Sequence, residues 1–313
     1  KRYIIQNAKR INAIYANTWP LMAQFLTVRV AKRYNIPIII HVQDIYPESL
    51  TTKLPLLGKI INWLLLPIDK YTLRNATYVI AISERMKNYL VKTRELDGEK
   101  VHVIPNWQNE EEFIRFRQSN KLNESCNNFT FMYLGNIGPV AGIDLLINAF
   151  SKANLPNSRL VIAGSGSQKE TLQKKCREQQ IANIEFWDVP DGKVPEIQDQ
   201  SNVMVLPIKK GAASSSIPSK LPAYMFSAKP IIACVDEGSD TAEAIKKSGC
   251  GWVLEPDNTE ELAKLMIEVY NTNKDYLENK GQLGFEYAIA NFSKKENLQK
   301  IIKVITKVAS DAN

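Results

Sequence analysis

Cysteine and histidine are scarce: the 313 residues hold four cysteines (Cys126, Cys176, Cys234 and Cys250) and two histidines (His41 and His102). The cysteines show no CxxC spacing and lie only in the second half, which argues against a zinc site or a disulfide framework and for reduced, structural thiols in a cytosolic protein. Two histidines do not supply a His-rich metal centre. Long apolar runs are missing too. The longest, IINWLLLPI at 60 to 68, falls well short of the ~20 residues that span a bilayer, and no signal peptide is read within the chain. There is no short internal repeat and no low-complexity tract. The chain starts at Lys1 in mid-pattern, KRYIIQNAKR, so preceding sequence, with any localisation signal, is expected to be missing.

What is present is a soluble globular composition, 44% hydrophobic and 23% charged, long enough for two domains. The net charge of +7 is uneven. Residues 1 to 120 hold 18 Lys and Arg against 10 Asp and Glu, a balance of +8, which leaves the remainder at −1. A basic face in water accounts for such a bias. The stretch from Leu50 to Arg74, LTTKLPLLGKIINWLLLPIDKYTLR, also mixes Lys53, Lys59, Lys70 and Arg74 with Leu, Ile and Trp, as a segment lying on anionic lipid would. No nucleic-acid-binding module accompanies the charge.

Short β-branched runs alternate with helical patterns: IPIII (36 to 40), ATYVIAI (76 to 82), KVHVIP (100 to 105), FTFMYLG (129 to 135), RLVIAG (159 to 164), NIEFW (183 to 187), VMVLP (203 to 207), KPIIACV (229 to 235) and GWVLE (251 to 255). Apolar strands without period-two alternation predict parallel sheets covered on both faces. The polar stretch FRQSNKLNESCNN (116 to 128) reads as a linker. The expected organisation is an α/β chain of two Rossmann-like domains facing across a cleft, residues 1–120 and 121–285, with a C-terminal helix over 286–313 returning to the first.

In open α/β sheets ligands sit at the carboxyl ends of the strands. In the second half these ends carry YLGNIG (133 to 138), AGSGS (163 to 167) and, after VMVLP, the stretch IKKGAASSSIPSK with Lys209, Lys210 and Lys220. Each taken alone is ordinary turn chemistry, and SSSIPSK alone reads as a linker entering a helix. Together on one sheet edge they point to a diphosphate site in which Ser219, Lys220 and a helix N-terminus supply donors. In the first half HVQDIYPES places His41, Asp44 and Glu48 just after a strand. Asp44 and His41 are candidates to orient or deprotonate a hydroxyl, with a capping Asp44 and a packed neutral His41 equally compatible. His102, inside a β-run, reads as structural.

The order HVQDIYPES, VIPNW, YLGNIG, AGSGS, IPSKLPAYM and SGCGWVLEPDN resembles the family 4 glycosyltransferases of the two-domain GT-B fold over nearly the whole chain. Within them it is most similar to bacterial enzymes of surface-polysaccharide assembly, the WbuB-like and colanic-acid transferases. The resemblance implies a retaining transfer from a nucleotide-sugar, a UDP-N-acetylhexosamine or deoxy-aminosugar, to a polyprenyl-diphosphate-linked glycan acceptor of an O-antigen, capsule or exopolysaccharide. No tightly bound metal or other cofactor is implied. The second half would hold the donor and the first the acceptor, on the cytoplasmic face of an anionic membrane.

Carried over by position, Gly135, Asn136 and Gly138 match the family's turn at the diphosphate, and Ser219 and Lys220 its Ser-Lys pair, with Lys209 nearby. Lys220 would neutralise the departing diphosphate, with Asp44 and His41 as further catalytic candidates and Asp44 and Glu48 on the acceptor side. Many members carry two glutamates eight positions apart at the donor. Here the matching positions are Ser215 and Ala223, and Glu243 is the candidate to contact the donor in their place, with an exposed helix glutamate the other reading. A UDP-sugar 2-epimerase of the same architecture and a non-catalytic nucleotide-sugar-binding scaffold are the alternative readings.

Overall fold

A computed structural model describes residues 2–17, 20–51, 58–119, 128–211 and 217–311. Two compact units emerge, Lys1–Asn106 with Lys295–Asn313, and Trp107–Lys294.

The first unit runs through α1 (Arg2–Asn7), β1 (Ile14–Asn17), α2 (Leu21–Arg33), β2 (Ile38–Val42), α3 (Glu48–Thr51), α4 (Gly58–Arg74), β3 (Tyr78–Ala81), α5 (Glu84–Arg94) and β4 (Val101–Val103). Its strands pair in parallel in chain order, β1-β2-β3-β4. All five residues of β2, IIIHV, are buried, as a central parallel strand covered on both faces requires. Val28 and Ala31 of α2, Leu73 of α4 and Met86 and Leu90 of α5 pack on the sheet. The edge strand β1 was not legible in the sequence because IYAN alternates between half-buried and exposed positions.

The second unit holds α6 (Glu110–Ser119), β5 (Phe129–Leu134), α7 (Ile143–Ala153), β6 (Ser158–Ala163), α8 (Lys169–Glu178), β7 (Ile184–Trp187), α9 (Val194–Asp199), β8 (Val203–Pro207), α10 (Lys220–Phe226), β9 (Ile231–Cys234), α11 (Asp240–Ser248), β10 (Gly251–Leu254), α12 (Thr259–Tyr270) and α13 (Lys274–Phe292). Its sheet is all parallel with the order β10-β9-β8-β5-β6-β7. The chain winds outward from β5 through β6 and β7, then returns to lay β8 against the other side of β5. That reversal between β5 and β8 is where such sheets open a crevice at their carboxyl ends.

The division between the units falls at 106/107 and 294/295 rather than at the expected 120/121 and 285/286. The reason lies in two helices. The stretch EEEFIRFRQS forms α6, whose Phe113 is buried against Phe226 of α10, so 116–119 are helical and not linker, while 120–127 lie outside the described residues. Residue 285 falls in the middle of α13. The last helix, α14 (Lys294–Ser310), belongs to the first unit from Lys295 onward. There Asn297 donates to the Pro105 carbonyl and Lys307 sits over the Tyr78 ring.

Candidate functional site

The crevice begins where β5 parts from β8. The β5–β6 ladder continues to the pair Leu134 and Ala163, but the β5–β8 ladder ends at Met132 and Met204. Past that level the turn Gly135–Gly138 meets the Lys220 side chain from the head of α10, and Lys209, after β8, donates its amide to the Val140 carbonyl just beyond the turn.

Lys220 lies directly on the β5 turn. A Cβ at Gly135 would overlap Lys220 Cε and come within 2.8 Å of Cδ, so only glycine lets the lysine stem cross at this height. The β6 turn supports it from the other side. A Cβ at Gly164, whose φ is +133°, would overlap the Gly135 carbonyl oxygen, and Ile137 N–H donates to Ser165 O at 2.8 Å. The Lys220 ammonium sits 5.5 Å from the Tyr133 ring centroid, a cation–π distance. It makes no ion pair with any described residue. Burial pulls its pKa below the ordinary lysine value, so the charged form gains from any anion that enters. Tyr133 in turn donates its hydroxyl to the Asn136 carbonyl at 2.6 Å, fixing the turn.

The other expected donor-side residues fall around this point with different standing. Among the described residues no carbonyl accepts the amides of Asn136 or Gly138, and the exposed Ser219 hydroxyl caps nothing. Lys209 is exposed and its amide is tied to the Val140 carbonyl at 3.1 Å. The helix-end expectation is corrected. α10 has only seven residues, and so short a helix has little macrodipole, which leaves Lys220, Ser219 and the turn amides as the polar groups. Glu243 fits the exposed-helix reading: it is exposed in the first turn of α11 and pairs with Lys247 at 2.6 Å, four residues on, an ordinary surface pair. Ala223 is buried, and Ser215 lies outside the described residues.

In the first unit Asp44 follows β2 at its carboxyl end, exposed and with no partner among the described residues. His41 fits the packed, neutral reading, and Glu48 is engaged within the unit. His41 is fully buried. Its Nδ1 lies 2.6 Å from the Tyr15 hydroxyl and its Nε2 3.3 Å from Gln43 Nε2, and burial lowers its pKa to about 4. Such an imidazole stays neutral at pH 7 and has its ring nitrogens engaged, so it is packed rather than poised to take a proton. Glu48 is committed to Arg94, whose Nη1 and Nη2 each donate to one Glu48 oxygen at 2.7 Å. Arg94, fully buried, also donates to Asp69 Oδ2 at 2.7 Å and to the Tyr46 carbonyl at 2.5 Å. Burial alone would raise the Glu48 pKa, and Arg94 holds it below the usual value. For Asp69 burial wins, pushing the carboxyl up to about 6 despite Arg94. Sequence reasoning missed this cluster because its members are 21 to 46 residues apart with no local signature.

A cavity of about 810 Å³ lined by Phe113, Arg117, Asp199 and Lys229 opens in the second unit. Asn202 and Pro230, which precede β8 and β9, also line it. It therefore lies at the amino ends of the strands, away from the glycine turns.

Residues 114–283 match the family described as Glycosyl transferases group 1, and residues 1–112 match Glycosyltransferase Family 4. The chain belongs to the group 1 glycosyltransferases. It is 22% identical to the probable glycosyltransferase WbjE of Pseudomonas aeruginosa over 99% of its own length and 78% of that protein. It is 25% identical to WcaI of Escherichia coli, a putative colanic acid biosynthesis glycosyl transferase, over 78% of the chain and 63% of that protein. Among solved structures, Anabaena HepE in complex with UDP superposes with a TM-score of 0.73 at 17% identity, covering 98% of this chain and 81% of that one. Sucrose-phosphate synthase of Thermosynechococcus elongatus gives 0.73 at 15% identity over 99% and 77%. This glycosyltransferase thus has the GT-B fold of its structural neighbours, built from two parallel-sheet units.

Proposed function

We propose that this glycosyltransferase moves a sugar, with retention of configuration, from a UDP-sugar to a lipid-linked glycan during assembly of a bacterial surface polysaccharide. The donor is of the N-acetylhexosamine or deoxy-aminosugar class. The observation that carries the reading is Lys220 lying across Gly135, with no counter-ion among the described residues, where β5 and β8 part. The structures of HepE with UDP and with UDP-glucose support a uridine diphosphate there, and the names of WbjE and WcaI support the polysaccharide setting.

In this reaction the bond between the anomeric carbon and the diphosphate oxygen breaks as the acceptor oxygen bonds to that carbon. The acceptor proton passes to the departing phosphate. Lys220 meets the charge that grows on the leaving group, and Ser219 with the Asn136 and Gly138 amides orients it. Removing one such donor lowers the rate by roughly a hundredfold to a thousandfold. Asp44 orients the acceptor hydroxyl.

The membrane part of the reading is narrower than the charge bias implied. Lys70 and Arg74 both pair with Glu95, and Lys53 lies outside the described residues. What α4 exposes is apolar, Ile60, Trp63 and Leu64, beside Lys59, a face suited to peripheral contact with anionic lipid. Among the described residues no helix is long and apolar enough to cross a membrane.

The test incubates the protein with a panel of UDP-sugars and a polyprenyl-diphosphate-linked glycan, reading products by mass spectrometry and NMR. The expected result is a lengthened glycan with retained anomeric configuration and one UDP released per sugar. A UDP-sugar converted to its 2-epimer without acceptor would replace the reading with an epimerase. Flotation with vesicles should show a preference for anionic lipid that Trp63→Glu removes; equal flotation with neutral lipid would remove the membrane part.

A further inference from the structure

The parting of β5 from β8 leaves a backbone problem that one side chain solves. In a parallel strand successive residues direct their N–H and C=O to opposite sides. Gly135 N–H goes to Ala163 of β6, so Leu134 presents both of its groups toward β8. No β8 residue pairs with it there, because the β5–β8 ladder has ended at Met132 while β8 runs on beside β9 to Pro207. Two buried backbone groups without partners would be costly. The Tyr224 hydroxyl takes both: Leu134 N–H donates to it at 2.9 Å, and it donates to Leu134 O at 2.8 Å. Tyr224 is fully buried, so water does not compete.

Tyr224 is on α10, the helix that Lys220 opens, and Leu134 is the residue before Gly135, on which the Lys220 stem rests. The other contacts that seat α10 are mostly apolar, such as Phe226 against Phe113 and Phe285. Apolar contact holds a helix in place but tolerates sliding, whereas two hydrogen bonds to one residue fix its register. We infer that Tyr224 is a positioning residue for Lys220, its hydroxyl standing in for the pairing that β5 loses where β8 parts from it and locking α10 to the end of β5 so that the lysine stem crosses the turn at Gly135. The inference rests on the proposed donor site. It gives Tyr224 a task that any side chain without a terminal hydroxyl at that reach fails.

The experiment is a double-mutant cycle read by calorimetric binding of UDP to the full chain, wild type, Tyr224→Phe, Lys220→Ala and the pair. Phenylalanine keeps the ring and removes only the hydroxyl. Tyr224→Phe is expected to weaken UDP about tenfold, mid-range for coupling between residues in one network. In the Lys220→Ala background the same change is expected to do nothing further to UDP affinity, while it lowers the thermal midpoint in both backgrounds. A hydroxyl with a merely structural role would lower the midpoint and leave UDP affinity alone, and that result overturns the inference. Equal weakening with and without Lys220 also overturns it. Absence of UDP binding in the wild type removes the donor site and the inference with it. Hydrogen exchange on the unmodified chain needs no variant: the Leu134 amide should exchange as slowly as those of Met132 and Tyr133. Fast exchange at Leu134 would show that the hydroxyl does not hold it.

Discussion

Replacing Arg94 with methionine should destabilise the first unit far more than any surface change, and the size of the effect should depend on pH. The guanidinium is fully buried and holds both Glu48 oxygens, Asp69 and the Tyr46 carbonyl. Methionine fills much of the volume but leaves two carboxylates without their cation. Breaking one side of a buried ion pair in this way costs about 3 to 5 kcal/mol, and the half-buried Glu48, which water reaches, argues for the lower end. The two carboxyls behave oppositely in the wild type. Asp69, held up near 6 against an ordinary 3.8, contributes stability that is complete below pH 3.8 and lost as the pH rises through about 6. Glu48, held below its ordinary 4.5, contributes stability that is present above 4.5 and lost as the pH falls through its lowered value. Without Arg94 the Asp69 carboxyl rises further and is neutral at pH 5, so the penalty for Arg94→Met should shrink between pH 7.5 and pH 5 by at least ~1 kcal/mol, under one pKa unit's worth of ionisation. Hydrogen exchange at β2 and β3 amides reads this unit separately from the other. A loss below ~1 kcal/mol at pH 7.5, or a penalty that does not change with pH, would refute the reasoning.

Three further outcomes follow from the geometry. Gly164→Ala should force the β6 turn away from the Gly135 carbonyl, lowering stability by about 1 to 3 kcal/mol and UDP affinity with it; unchanged UDP binding would mean the two turns are independent. Because burial lowers His41 to about 4 against an ordinary 6.5, its stabilisation is present above pH 6.5 and lost as the pH falls through 4. Its NMR signals should therefore stay constant from pH 8 to pH 5, and a midpoint near 6.5 would place it in solvent. Finally, Asp44→Asn should reduce transfer with little change in stability, whereas Glu48→Gln should reduce stability through Arg94; the reverse pattern would exchange their roles.

The second sheet was legible because its strands announce themselves. FTFMYL, RLVIA and VMVLP are almost wholly apolar, the first two running into glycine and the third ending in proline, and their spacing by helical patterns forces parallel pairing. The meeting of Gly135 and Lys220 was legible for the same reason, since strand ends in such a sheet share one edge. What hid was whatever depends on side-chain direction. HVQDIYPES shows three polar groups after a strand, but nothing in its spacing says that His41 points into the core, that Glu48 turns to Arg94 and that Asp44 alone faces solvent. Tyr224 looked like one more apolar position in LPAYMF, because the gap it fills arises only where two strands part. The end of α6, Phe116–Ser119, reads as linker because FRQSN is polar, while the residues that tie the helix down, Glu110 and Phe113, lie upstream of it.

The central claim is that Lys220, lying on Gly135 at the parting of β5 and β8, is the cation of a nucleotide-diphosphate site. Calorimetric titration of UDP, with GDP as the control, into the wild-type chain and into Lys220→Ala tests it most directly. The account predicts UDP binding preferred over GDP and weakened by about 1.5 to 3 kcal/mol in Lys220→Ala, the range for a hydrogen bond to a charged group. UDP binding that is absent, or that is indifferent to Lys220, would contradict it.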